Sequence, residues 1–497
     1  MVLSNVLVAQ GGGPTSVING SLAATIREFK KHAGDKIGRV YVALHGASGI
    51  LTETMVDATD LSDAALDGLS QTVCAAAGSS REKLDSEQKR NRAIDVLDAH
   101  DVHILQLIGG GDTASTVAEI NKSAGRRRYD LICQHILKTV DNDGYGLFSP
   151  GWGTAGRWVH DGTLSLIKEV DAMPGIQLLL SMGRDSGWIT AMSTHAFLAE
   201  GTDKRGIQRI YTPETGFTLE RFGDECLETF GKYGKLIVNV SEGVQEDGCP
   251  VSLTERLVEE VSNNTAALSA LMGDQRVVHL CRQLAGEFSK LDKTDPRSKL
   301  TYDSLNRLIN DYAGVEAAGV QRDQHGQVAY GEIRTVNLTD WLAGYLQSTL
   351  TDKLGRKIRV RGNALYYTAR CPVYISKLDL LGAELVGRKA AADAIAHMGD
   401  GGSVSGTYGA SVVLAGDTIG PDITAESVPL EKMTDLSTGR GIQYQMPADY
   451  MTNDGPTDAF LKFSRPLITC DSVAADPAKF VDFTDGSHPA VESKLEK

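Results

Sequence analysis

The chain has 497 residues, 41% of them apolar and 23% charged, an ordinary globular balance that excludes a disordered or collagen-like protein and suggests two or three domains of roughly 150 residues each. Its 50 basic residues face 64 acidic ones, a formal net charge of −14, so the basic face that a nucleic-acid binder needs is missing. No 18-residue apolar run marks a membrane span, no signal peptide is legible, and seven scattered cysteines without a CxxC pair read as reduced thiols of a cytoplasmic protein.

Residues 6–10 are a short apolar run that ends in glycines, and 17–32 have helical spacing. Strands are expected at 40–44 and 103–108, with the second leading into Gly109–Asp112 and a helix over 114–121. The segment 131–140 reads as strand, 154–170 as helix, 176–182 as a buried strand and 187–198 as helix. A further strand at 235–240 ends in Ser241-Glu242-Gly243. This βαβα rhythm predicts parallel-rich sheets covered by helices on both faces, with ligands beyond the carboxyl ends of the strands. From about 250 to 327 the sequence turns charged and helical, and a second α/β part resumes near 330; the last hundred residues look less regular.

Three strand ends carry the chemistry. Gly11-Gly12-Gly13-Pro14-Thr15 offers backbone amides at a helix start, which suits a phosphate. Gly110-Gly111-Asp112 places a carboxylate where it can cap a helix or hold Mg²⁺. Lys138-Thr139-Val140-Asp141-Asn142-Asp143 sets two carboxylates beside a lysine, a group able to take a proton and to offset phosphate charge. Taken singly, each is also compatible with an ordinary turn. GWGTAG at 151–156 follows no strand, so it reads as the tight start of a helix and not as a dinucleotide fingerprint. Arg359, Arg361 and Arg370, interleaved with Tyr366 and Tyr367, form a basic group suited to phosphate.

In order, GGPTSVIN (12–19), GGD (110–112), KTVDND (138–143), MGR (182–184), SEG (241–243) and YTAR (367–370) resemble the phosphofructokinase family, and most closely its pyrophosphate-dependent branch. The resemblance covers most of 4–243 and 329–470 and includes VPLEKM (428–433) and FSRPLI (463–468). It implies a Mg²⁺-dependent, reversible phosphoryl transfer from pyrophosphate to O1 of fructose 6-phosphate. Gly12, Gly13 and Arg81 would hold the donor, Asp112 the Mg²⁺, and Asp141 would be the general base, assisted by Asp143 and Lys138. Thr139, Met182, Gly183, Arg184, Glu242, Tyr367 and Arg370 would hold the sugar phosphate together with Arg361, which in the family is lent by a neighbouring subunit. A homodimer or homotetramer with shared active sites is therefore implied.

Some positions depart from the branch. Thr113 stands where ATP users carry glycine and pyrophosphate users aspartate, and its β-branched side chain is expected to crowd a nucleotide's inner phosphate. Gly175 replaces an arginine of bacterial ATP enzymes, and YTAR replaces YLQR, which leaves sedoheptulose 7-phosphate open as an acceptor. The alternatives are an ATP-dependent 6-phosphofructokinase and a non-catalytic regulatory subunit or sugar-phosphate sensor. The expected organisation is two Rossmann-like three-layer α/β lobes plus a helical insertion. Residues 1–170 would form the donor and Mg²⁺ lobe, 171–249 with 328–400 the sugar-phosphate lobe, 250–327 the insertion, and 401–497 a segment packed on the lobes.

Overall fold

Parallel strands that are apolar on both faces must be covered by helices on both sides. The computed structural model, which describes residues 3–201, 203–249, 251–253, 338–365 and 367–495, meets that requirement twice. The expected 250–327 helical insertion lies almost wholly outside the described residues. Among the described residues, nine strands precede residue 366: β1 (Ser4–Gln10), β2 (Ile37–Ala43), β3 (Met55–Asp57), β4 (Val102–Gly109), β5 (Leu131–Leu137), β6 (Ile176–Ser181), β7 (Gln208–Tyr211), β8 (Leu236–Ser241) and β9 (Val360–Leu365). After them come β10 (Tyr374–Ser376), β11 (Thr407–Ala415) and β12 (Thr424–Val428).

The chain divides into two units, one of residues 1–158, 368–445 and 459–497, the other of residues 159–367 and 446–458. The first holds a seven-stranded sheet in the order β12-β11-β5-β4-β1-β2-β3, antiparallel only at its two edges. Leu7, Leu105, Leu107 and Cys133 pack on one face against Ile94, Leu97, Val117 and Ile120 of the helices Glu87–Ala99 and Gly111–Arg127. On the other face lie α1 (Ile18–Lys30) and α2 (Lys377–Ala396). These two helices approach so closely that a Cβ on Gly387 would stand 2.2 Å from the Ser21 carbonyl oxygen.

Two polar groups of the buried strands bond across the sheet. Gln106 Nε2 donates to Gln134 Oε1 at 2.8 Å, and His135 bridges Gly109 O and Ser411 Oγ. Burial holds the His135 imidazole down to about 4, so it is neutral at physiological pH.

The second unit is built on an all-parallel sheet in the order β7-β8-β6-β9. Phe217, Phe222, Phe230, Trp341 and Tyr345 cover one of its faces, and Ile167, Val170 and Phe197 pack with Ile237 on the other.

The boundaries differ from those expected. Residues 368–400 belong to the first unit, because α2 packs on α1 and on β11. The C-terminal segment, expected to be less regular and to pack on the lobes, supplies the sheet strand β11, which pairs in parallel with β5 from Thr407↔Leu131 to Val412↔Ile136. The helix expected at 187–198 is a short α-turn, Trp188–Met192, continued as 3₁₀ helix.

GWGTAG does open a helix, Trp152–Ala172, and a remote carboxylate caps it. Asp379 of α2 is fully buried and accepts from Gly151 N at 2.8 Å, Thr154 N at 2.8 Å and Thr154 Oγ1 at 2.6 Å. Burial raises the Asp379 pKa while these donors oppose the shift. Asp379→Ala would strand three buried donors and is expected to cost about 3 kcal/mol of stability. The check is the urea midpoint of the variant; an unchanged midpoint would show that the carboxylate does not hold the helix start.

Candidate active site

In the seven-stranded sheet β1 is flanked by β4 on one side and β2 on the other, so the strand order reverses there. A crevice beyond the carboxyl ends of β1 and β4 is the place where such sheets bind ligands. Three neighbouring strands, β1, β4 and β5, deliver Gly11–Gly13, Gly110–Asp112 and Lys138–Asp143 to that one edge. The expected juxtaposition of the three turns is therefore present.

Lys138 ties them together. Its side chain is buried, and its Nζ donates to the carbonyls of Gly11 at 3.1 Å and Gly13 at 2.6 Å, while its backbone N–H donates to Gly109 O. Gly12, between the two bonded carbonyls, has φ of 73°, a left-handed conformation that favours glycine. Burial lowers the Lys138 pKa to about 8, helped by the nearby Arg370 charge and opposed by Asp141 and Asp143.

The turn is braced from its other side by residues 79–81. Gly12 N donates to Ser80 O, and Ser79 Oγ donates to Gly12 O at 2.7 Å, which leaves the exposed Arg81 next along the chain. Among the described residues, Thr15 Oγ1 and Ser80 Oγ are buried with no hydrogen-bond partner. Two such hydroxyls beside a glycine turn suit an oxygen-rich ligand. Thr15 closes the glycine motif read from the sequence, where its hydroxyl was given no role, and Ser80 was not singled out.

Asp112 is exposed in the first turn of the helix Gly111–Arg127, whose N-cap is Gly110. Thr113 folds back: a Cβ on Gly109 would stand 2.0 Å, and one on Gly11 3.2 Å, from its Oγ1. Its bulk thus lies on the backbone of the two glycine turns. Asp141 is half-buried, and its backbone N–H donates to Thr139 Oγ1 at 3.1 Å. Asn142, at φ 55°, accepts from Ser149 N through its Oδ1, and Asp143 O accepts from Tyr444 N. The KTVDND turn is therefore held from within and by the C-terminal segment.

The second unit repeats the logic. β6, β8 and β9 end level with one another at Ser181, Ser241 and Leu365. Met182-Gly183-Arg184, Glu242-Gly243 and Tyr367 therefore follow three adjacent strand ends. Glu242 is buried and accepts from Gly183 N at 3.2 Å, so MGR and SEG are one structure.

Two arginines of the basic group have surroundings of their own. Arg361 is exposed near the start of β9, level with Gln177, and pairs with Glu169 at 3.6 Å. Arg370 falls in the first unit, where a Cβ on Gly13 would stand 3.0 Å from its Cζ. The structure thus puts Arg370 beside the glycine turn, a neighbour that its motif did not announce.

No group of three or more His, Cys, Asp or Glu among the described residues has a metal-binding arrangement. No described helix is long and apolar enough to cross a membrane.

The phosphofructokinase family model matches residues 5–293. The pyrophosphate--fructose 6-phosphate 1-phosphotransferase of Rhodospirillum rubrum is 32% identical over 324 residues, 65% of this chain and 77% of that one. The protein of the same name from Halomonas elongata is 35% identical over 258 residues, 50% of this chain and 61% of its own length. The crystal structure of a pyrophosphate-dependent phosphofructokinase from Nitrosospira multiformis matches 99% of both chains at 25% identity, with a TM-score of 0.69. Glycine turns on adjacent parallel strands, the ordered motifs that form them and a family match over more than half of the chain lead to one conclusion: this protein belongs to the phosphofructokinase family.

Proposed function

We propose that the chain transfers a phosphoryl group from pyrophosphate to O1 of fructose 6-phosphate, reversibly, and so acts as a pyrophosphate-dependent phosphofructokinase. The observation that carries this reading is the buried Lys138 ammonium bonded to the turn Gly11–Gly13, with Asp112, Asp141 and Asp143 on the same sheet edge. The names of the relatives support the choice of donor and acceptor.

In this reading the Gly12 and Gly13 amides, Arg81 and the hydroxyls of Thr15 and Ser80 receive the donor phosphates. Arg370, beside Gly13, joins them. Asp141 takes the proton from the sugar O1 as that oxygen attacks the terminal phosphorus, and orthophosphate leaves. The charge of Lys138 favours the electron-rich leaving phosphate, since a buried cation acts with little solvent screening. Met182, Gly183, Arg184, Glu242 and Tyr367 would orient the sugar phosphate.

The carboxylates Asp112, Asp141 and Asp143 are hard oxygen donors without a thiol or imidazole partner, a set that fits Mg²⁺ held by one or two carboxylates plus phosphate oxygens. When bound there, Mg²⁺ would neutralise phosphate charge. Thr113, lying on the floor of the donor turns, favours pyrophosphate over a nucleotide on steric grounds. The exposed Arg361 supports a homo-oligomer whose subunits share sites, and a cytoplasmic location belongs to the same reading.

With fructose 6-phosphate and Mg²⁺, pyrophosphate is expected to exceed ATP as donor by at least about tenfold in kcat/KM. Turnover with ATP alone would refute the assignment. Asp141→Ser is expected to lower kcat by about a thousandfold, while calorimetry shows fructose 6-phosphate binding within a few-fold of the parent. Retained kcat would remove Asp141 from the role of base.

A further inference from the structure

Beside the donor turn two thiols meet that the phosphoryl-transfer reading does not use. Cys74 is exposed, Cys371 is half-buried, and the two side chains are near enough to shift each other's titration. The backbone fixes this meeting. Ser16 Oγ donates to Pro372 O at 2.7 Å, next to Cys371, and Asn19 Nδ2 donates to Cys74 O at 2.6 Å. Val17, between these two anchors, packs with Ile375 and with Val73. One helix start therefore holds both cysteine segments. Cys74 itself sits at φ 70°, an uncommon conformation for a residue with a side chain.

The surroundings separate the two thiols chemically. The neighbouring Cys371 side chain, the Ala75 amide and the charge of Arg370 bring the Cys74 pKa down to about 6, although burial opposes them. Cys371 is pushed well up in turn, mainly by the neighbouring Cys74. An exposed thiolate beside a protonated thiol is the arrangement of an attacking and a resolving cysteine. Cys133 and Cys226, by contrast, are fully buried and their thiols are pushed up by burial.

The location gives the pair a consequence. Cys74 lies on the stretch that runs to Ser79 and Ser80, which bond Gly12, and then to Arg81. Cys371 directly follows Arg370, which packs on Gly13. Joining the sulfurs would clamp together the two segments that flank the glycine turn.

We propose that Cys74 and Cys371 are a reversible, peroxide-sensitive dithiol whose disulfide form lowers turnover by clamping the donor turn. The Cys74 thiolate attacks one peroxide oxygen, the O–O bond breaks, and hydroxide leaves a sulfenic acid. The Cys371 sulfur then attacks the Cys74 sulfur, losing its proton as the S–O bond breaks and water departs. Two thiols are oxidised by two electrons in total, and one hydrogen peroxide is reduced to two waters. A small dithiol reductant reverses the change. The bond itself does not depend on the proposed activity; the loss of turnover does.

The test treats the full chain with hydrogen peroxide, alkylates the remaining thiols and maps non-reduced peptides by mass spectrometry. The expected product is a Cys74–Cys371 linked peptide that dithiothreitol abolishes, with turnover from pyrophosphate falling at least about fivefold and recovering on reduction. Cys371→Ser should form no linked peptide and should leave Cys74 as a sulfenic acid that a dimedone probe captures; Cys74→Ser should form neither product. Absence of the Cys74–Cys371 peptide, or linkage to other cysteines including Cys281, would overturn the proposal. A Cys74–Cys371 bond without loss of turnover would overturn the clamp. A reduced protein inactive with pyrophosphate would count against the proposed function, with the peptide map still deciding the dithiol.

Discussion

A buried ammonium group needs compensation, because taking it out of water costs several kcal/mol. Lys138 finds that compensation in the carbonyls of Gly11 and Gly13 and in the field of Asp141 and Asp143, with Arg370 acting against it. The donor turn is shaped by that need. Gly12 takes a left-handed conformation between the two bonded carbonyls, and the backbone N–H of Lys138 ties the end of β5 to Gly109 at the end of β4. One residue, through its side chain and its backbone N–H, thus links the ends of three strands and places a positive charge where an anionic donor would lie.

This local arrangement explains how an acidic protein can serve anionic ligands. The net charge of −14 is a property of the whole surface, whereas the field at a cleft is set by nearby groups in a low dielectric. Lys138, Arg81 and Arg370 are gathered about the glycine turn, and Arg184 follows the end of β6 in the second unit. In both units the parallel sheet does the positioning, since adjacent parallel strands send all their carboxyl ends to one edge.

The strand ends were legible in the sequence because their signals are local: a short apolar run followed at once by glycines or clustered polar residues. The same holds for GGG, GGD, KTVDND, MGR and SEG. Contacts between remote segments were not legible. Nothing in 407–415 announces that it pairs with β5 after some 270 intervening residues, and nothing in α2 marks Asp379 as the cap of the helix that GWGTAG opens. Arg370 reads from its motif as a sugar-phosphate group, but its reach to Gly13 depends on how the segment after β9 folds back into the first unit. Thr113 was identified by its bulk, while the direction in which it folds required coordinates. Cys74 and Cys371 lie 297 positions apart and were read as ordinary reduced thiols.

The role of the buried cation is tested most directly by kcat/KM for pyrophosphate against pH, in the parent and in Lys138→Met. A lysine whose pKa is lowered to about 8 is charged below that value and neutral above it. The parent's kcat/KM should therefore fall as pH rises through about 8. The variant should lack that limb and lie lower by about a hundredfold or more across the range, once the donor's own ionisation, common to both proteins, is divided out. A variant with the parent's kcat/KM, or the same alkaline limb in both proteins, would contradict the assignment of Lys138 as the charge that the site depends on.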